Sequence, residues 1–170
     1  MSVIRREQQQ DIPEIRQVNR LAFGQEQEAS IVDKLRENCN SVLSLVALTD
    51  GKVVGHILFS PAVIEGEHGK LVGSGLAPLA VLPEYQRKGI GSQLVQTAIA
   101  RIKKGGCPYI IVIGHPEYYT RLGFEQAGQF GISSEWDVPD EAFMILRLDR
   151  RTMNGITGVA RYRKEWAEAM

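Results

Sequence analysis

Cysteine is scarce in this 170-residue chain, with only Cys39 and Cys107, and the two lie far apart. Neither stands in the spacing of zinc, haem or iron–sulfur ligands. No disulfide framework or metal is expected, and a reducing cytosol is the natural setting. Long apolar runs are missing as well. None approaches membrane-spanning length, and the opening MSVIRREQQQDIPEI has no apolar signal core. Neither sign of charge is in excess: Lys+Arg and Asp+Glu number 20 each. That balance argues against bulk nucleic acid or an anionic membrane as partner and makes any basic patch a local one. The phosphate-binding patterns GxGxxG and GxxxxGK[ST] are absent too, as are internal repeats and low-complexity linkers. What remains is 44% apolar and 24% charged, the make-up of a globular domain able to bury roughly 70% of its unfolded surface.

Val3–Arg5 reads as a short first strand. Asp11-Ile12-Pro13-Glu14 has the form of a capping box with proline in the first turn, so a helix is predicted over 12–23 and a second over 27–38. Strands over 41–48 and 53–64 meet at Asp50-Gly51, a hairpin signal. The strand over 71–82 is interrupted by Gly73, Gly75 and Pro78, which predicts incomplete pairing. Ile90, Leu94, Val95, Ala98, Ile99 and Ile102 share one face of a helix that Gly105-Gly106 stops. Tyr109–Ile113 is a nearly unbroken apolar run, as in a parallel pair covered on both sides. Residues 71–113 therefore form one right-handed βαβ unit. A short helix over 116–122, strands over 124–127 and 143–148, and a Gly/Ser/Asp/Pro-rich loop over 128–141 complete the pattern. Residues 156–170 have amphipathic spacing.

The stretch LAVLPEYQRKGIGSQLV, residues 79–95, carries the chemistry. Two basic residues and two glycines, in Gln86-Arg87-Lys88-Gly89-Ile90-Gly91, sit where a helix begins. A helix start has unpaired N–H groups and partial positive charge, so Arg87 and Lys88 are unfavourable there unless an anion is bound. Glycine lets the backbone approach that anion closely. A phosphate or pyrophosphate fits. A tight strand-to-helix turn with no ligand is the plainer alternative.

This run resembles the Q/R-x-x-G-x-G/A motif of the GCN5-related N-acetyltransferases. Tyr118-Tyr119-Thr120-Arg121-Leu122-Gly123-Phe124 resembles the family's second signature, a short aromatic-bearing helix ending in Gly-Phe. The order of elements fits through residue 148. The wording is closest to that of uncharacterised bacterial members, with Ala77-Pro78-Leu79 in place of Gly-Pro-Leu and Leu122 in place of Phe. The resemblance implies an α/β fold (α+β by some conventions): a mixed, mostly antiparallel sheet with one βαβ crossover and flanking helices. Residues 1–150 would form the single domain, and 151–170 a tail docked on it or making a homodimer contact.

The implied reaction is acetyl transfer from acetyl-CoA to an amine acceptor, a small molecule or a protein amine. Direct attack in a ternary complex is expected, since no cysteine lies in either signature. The N–H groups of Arg87, Lys88, Gly89, Ile90 and Gly91, with Gln86 and Ser92, would wrap the CoA pyrophosphate. Leu79, Ala80 and Val81 would line the pantetheine arm, Val81 pairing with it and the Leu79 N–H serving as oxyanion donor. Tyr119 would protonate the departing thiolate, with Tyr118 as the alternative. Many family members place a glutamate before the Leu-Ala-Val stretch, whereas Gly73–Ala77 holds no acid. The base is then ordered water, or His56 or His115, of which His56 reads rather as a satisfied core residue. Trp136 either lines the acceptor pocket or anchors its loop. A non-catalytic acyl-CoA sensor is the alternative of a different class, and a nucleotide-phosphate binder a third.

Overall fold

The computed structural model describes residues 2–170. In chain order its elements are β1 (Val3–Arg6), α1 (Ile12–Phe23), α2 (Gln27–Asn38), β2 (Leu43–Thr49), β3 (Lys52–Gly66), β4 (Gly69–Val81), α3 (Ile90–Lys104), β5 (Tyr109–Ile113), α4 (Pro116–Thr120), β6 (Glu125–Gln126), β7 (Ile132–Ser134), β8 (Phe143–Arg147), α5 (Arg150–Met153) and β9 (Gly158–Arg161). The strands follow the order β1-β2-β3-β4-β5-β8-β6, with β9 pairing β3 and β7. β4–β5 and β7–β9 are parallel. The remaining registered pairs are antiparallel. This is the mixed, mostly antiparallel sheet that was expected, with α3 as its crossover helix.

The chain groups into two compact units. One comprises residues up to Ser60, Ala77–Ala100 and Glu165–Met170. Its helices each bury one stripe: Ile15 and Val18 on α1, and Ala29, Ile31, Val32 and Leu35 on α2. Asp50 and Gly51 both adopt positive φ (52° and 78°), the two-residue turn that suits a twisted hairpin. The expected capping box at the start of α1 is not what forms. Asp11 turns back to accept from the Gln8 N–H (2.7 Å) and from both Nη atoms of Arg5 (2.6 and 3.0 Å). Glu14 instead accepts the Val53 N–H at 3.0 Å. A planar guanidinium fork outcompetes a weak backbone cap for a buried carboxylate.

The other unit comprises Pro61–Leu76 and Arg101–Lys164. β5 lies between β4 and β8, and Tyr109, Ile110, Ile111 and Val112 are buried, as an apolar parallel strand requires. Two segments differ from expectation. The predicted loop over 128–141 contains β7, and the amphipathic stretch after 155 contains β9. β9 registers Val63 with Arg161 and Ile64 with Ala160, and it pairs with β7 through Ser133 and Val159. Strands of three or four residues have too little periodicity to be seen alone. Their partners here lie far off in sequence.

Candidate active site

In the first unit, β4 ends on a short turn. The Leu82 N–H donates to the Val54 carbonyl (2.9 Å), and the Tyr85 N–H donates to the Leu82 carbonyl (2.8 Å). The Gln86 side-chain amide reaches back to the Val81 carbonyl at 3.0 Å, tying the turn to the strand. Arg87 (φ 64°) and Gly89 (φ 85°) then take left-handed conformations, while Lys88 between them does not. A non-glycine residue at such a φ is uncommon, and Arg87 holds it on the surface. Gly89 has open space around it, so its φ and not crowding requires glycine.

Among the described residues, no backbone carbonyl takes the N–H of Arg87, Lys88, Gly89, Ile90 or Gly91. The first turn of α3 holds no acidic residue. Lys88 and Lys52 both approach the Tyr85 ring, at 5.4 and 5.9 Å from its centroid. Free N–H groups, a helix start and cations without a carboxylate partner are the features that favour an anion at such a turn. Just before it, Leu79 and Val81 are half-buried and Ala80 is buried. None of the three has a partner on β5, whose pairing with β4 stops at Leu76↔Val112.

In the second unit, the His115 carbonyl accepts the N–H groups of Tyr118 (3.1 Å) and Tyr119 (3.2 Å), starting α4. The Phe124 N–H returns to the Tyr119 carbonyl at 3.1 Å. Tyr119 is buried, edge-on to Tyr118 (5.0 Å) and Phe124 (5.4 Å). Its ring lies over Gly114, where a Cβ would stand 2.5 Å from Cε2. The Tyr119 hydroxyl has no hydrogen-bond partner among the described residues. Burial first, and Tyr118 second, push its phenol well above the ordinary tyrosine range, so it stays protonated. Tyr118 is half-buried and partnered.

His56 is fully buried. Its Nδ1 accepts from the Asn19 amide (3.0 Å), its Nε2 lies 2.9 Å from Ser44 Oγ, and Ser44 donates to Glu7 (2.7 Å). Burial lowers the His56 imidazole to about 4, so it is a neutral, satisfied core residue. His115 is exposed and caps α4 through its backbone only. Trp136 stacks on Tyr162, with centroids 5.5 Å apart and planes at 23°. Among the described residues no group of His, Cys, Asp and Glu could hold a metal ion. Nor is any helix long and apolar enough to cross a membrane.

Tyr162 was not singled out as a site residue from the sequence. Its signal was Gly75, a side-chain-free position on the strand whose space the Tyr162 ring fills, as Tyr109 fills that over Gly73 on the same face.

A mixed, mostly antiparallel sheet with one βαβ crossover and flanking helices is the fold that the acetyltransferase resemblance implies. Residues 12–124 match the acetyltransferase (GNAT) family, and the chain belongs to that family. Over 134 residues it is 43% identical to the uncharacterised N-acetyltransferase YjhQ of Escherichia coli K12, a match spanning 77% of this chain and 74% of that protein. The crystal structure of the Escherichia coli GNAT family N-acetyltransferase YhbS, in complex with CoA, superposes with a TM-score of 0.89 at 33% identity, covering 98% and 92% of the two chains. A GNAT family acetyltransferase from Brucella melitensis, in complex with acetyl-CoA, superposes with a TM-score of 0.79 at 33% identity, covering 98% of each chain.

Proposed function

We propose that this protein transfers the acetyl group of acetyl-CoA to an amine by direct attack in a ternary complex. The observation that carries this reading is the Gln86–Gly91 turn. It presents unpaired N–H groups, left-handed residues at 87 and 89 and no carboxylate at a helix start. A pyrophosphate seats on the N–H groups of Arg87–Gly91, with Ser92 completing the cradle. Gln86 acts by holding the turn to Val81. The complexes of YhbS with CoA and of the Brucella protein with acetyl-CoA support this choice of anion.

The edge of β4 at Leu79, Ala80 and Val81, free of β5, receives the pantetheine arm through Val81. The Leu79 N–H donates to the thioester oxygen as charge builds there, a contribution of about 3 kcal/mol in comparable acyl-transfer sites. The amine nitrogen attacks the thioester carbon, the C–S bond breaks, and the Tyr119 phenol gives its proton to the CoA thiolate. Tyr119 suits this task because burial keeps it protonated and no other group holds its hydroxyl. The proton lost by the amine leaves through water, since residues 73–77 carry no acid.

A panel of amines tests this: polyamines, amino acids, and peptides offering a free N-terminus or a lysine. Each is incubated with acetyl-CoA, with thiol release and product mass as readouts. Thiol release that depends on one class of amine is expected. Stabilisation by acetyl-CoA without release for any amine would favour a sensor, and no stabilisation by acetyl-CoA would end the proposal.

A further inference from the structure

β4 and β5 are registered over three residue pairs, Ser74↔Ile110, Gly75↔Ile111 and Leu76↔Val112. At this fork lies Tyr162, the residue that follows β9. Its hydroxyl donates to the Leu76 carbonyl (2.9 Å) and the Ile111 carbonyl (3.2 Å), one from each strand. Its ring lies against Gly75, where a Cβ would stand 2.7 Å from Cε2. Trp136 stacks on the same ring, and Glu135 Oε2 accepts the Tyr162 N–H at 2.9 Å. Sheet, loop and C-terminal segment thus meet on one side chain.

A phenylalanine would fill the space over Gly75 equally well. It would leave two buried carbonyls without this donor, which hydrophobic filling does not offset. Burial holds the Tyr162 phenol far above its ordinary range, and Tyr119 acts in the same sense. The hydroxyl therefore remains a donor, within electrostatic reach of the tyrosine assigned above to protonate the thiolate. Leu76 immediately precedes the 77–81 stretch that would carry the thioester.

We infer that Tyr162 is a positioning residue: seated on Gly75 and bonded to Leu76 and Ile111, it fixes where β4 and β5 part and where the chain leaves the pair at Leu76. The consequence for turnover rests on the function proposed above. The consequence for the fork does not.

Two variants test it, Tyr162→Phe, which removes the hydroxyl, and Gly75→Ala, which displaces the ring. Hydrogen exchange of the free protein is measured first and needs no acceptor. Both variants are expected to speed exchange at residues 74–82 and 110–114 while α3 is unchanged. Exchange that is unaltered at the fork, or raised evenly across the protein, overturns the inference. With an amine acceptor, kcat is expected to fall about 10- to 100-fold, the scale of a misplaced reacting group. KM for acetyl-CoA should stay within about twofold, since the turn that binds the donor is untouched. The double variant should be no slower than the worse single one, because both act through one contact. Turnover in Tyr162→Phe equal to wild type, or a kcat loss that disappears at a lower assay temperature, overturns it. A wild-type protein inert toward every amine would count against the proposed function alone, and exchange at the fork would still decide the role of Tyr162.

Discussion

Gln86, Arg87, Lys88 and Gly89 are exposed and offer a ligand little but backbone, whereas Tyr109 and Tyr162 are buried and act through side chains. At the turn, the decisive quantity is φ: 64° at Arg87 and 85° at Gly89, with open space around the glycine. At the fork, the decisive quantity is distance. A Cβ at Gly73 would stand 2.5 Å from the Tyr109 ring, and one at Gly75 would stand 2.7 Å from Tyr162. Tyr109 donates to the Ala62 (3.1 Å) and Leu71 (2.8 Å) carbonyls much as Tyr162 donates to Leu76 and Ile111. Glycine thus serves opposite ends in the two regions, conformational freedom at 89 and absence of bulk at 73 and 75. Changes at the turn should alter binding and spare stability, and changes in the packed interior should do the reverse.

The largest test of that division is acidification. His56 stays neutral in the folded protein down to about pH 4, against an ordinary value of 6.5. Between those limits the unfolded chain takes up a proton that the folded chain refuses. Stability is therefore whole above about pH 6.5 and falls as pH drops, by up to about 3 kcal/mol near pH 4. Glu7, whose carboxyl is held below its usual range by Arg36 and Ser44 against its burial, loses its contribution in the same direction at the acid end. Urea midpoints across this range should drop, and His56→Gln should flatten the part above pH 5. An unchanged slope in that variant would assign the loss elsewhere.

Next in size is Tyr119→Phe, which keeps the ring over Gly114 and removes only the proton donor. Turnover should fall about 100-fold, at the low end for a general acid. Affinity for acetyl-CoA and melting temperature should barely move. Loss of affinity in step with turnover would make Tyr119 a packing residue. Gly73→Ala should cost about 2 kcal/mol by overpacking, lowering Tm by roughly 5 °C, with acetyl-CoA affinity kept. A variant as stable as wild type would show that Tyr109 yields easily and that the fork is less rigid than its distances imply.

Much of the first region was readable from the chain alone. α1, α2 and α3 have their predicted bounds, because their apolar spacing is local and their stops are strong, as does β5 in the second region, a nearly unbroken apolar run. The anion-binding character of 86–91 follows from residues that are neighbours in sequence. The second region was not readable in this way. Tyr162 joins Leu76 and Ile111 across separations of 86 and 51 residues. β9 is only four residues long and draws its register from β3 and β7. Asp11 showed the same limit at short range, since the Arg5 fork, invisible to a capping pattern, takes its carboxylate. Gly73 and Gly75 announced an interruption in β4 without showing which rings would fill it.

The central claim is that acetyl-CoA is held by the backbone of the 86–91 turn. Calorimetric titration of acetyl-CoA into wild type and Gly89→Val tests it most directly. A β-branched residue disfavours φ 85°, so the free turn should relax out of that conformation, and binding must restore it at a cost of about 1–3 kcal/mol. Binding to wild type, weakened about 10- to 100-fold in the variant with Tm unchanged, is the predicted result. Equal affinity in the two proteins would contradict the claim.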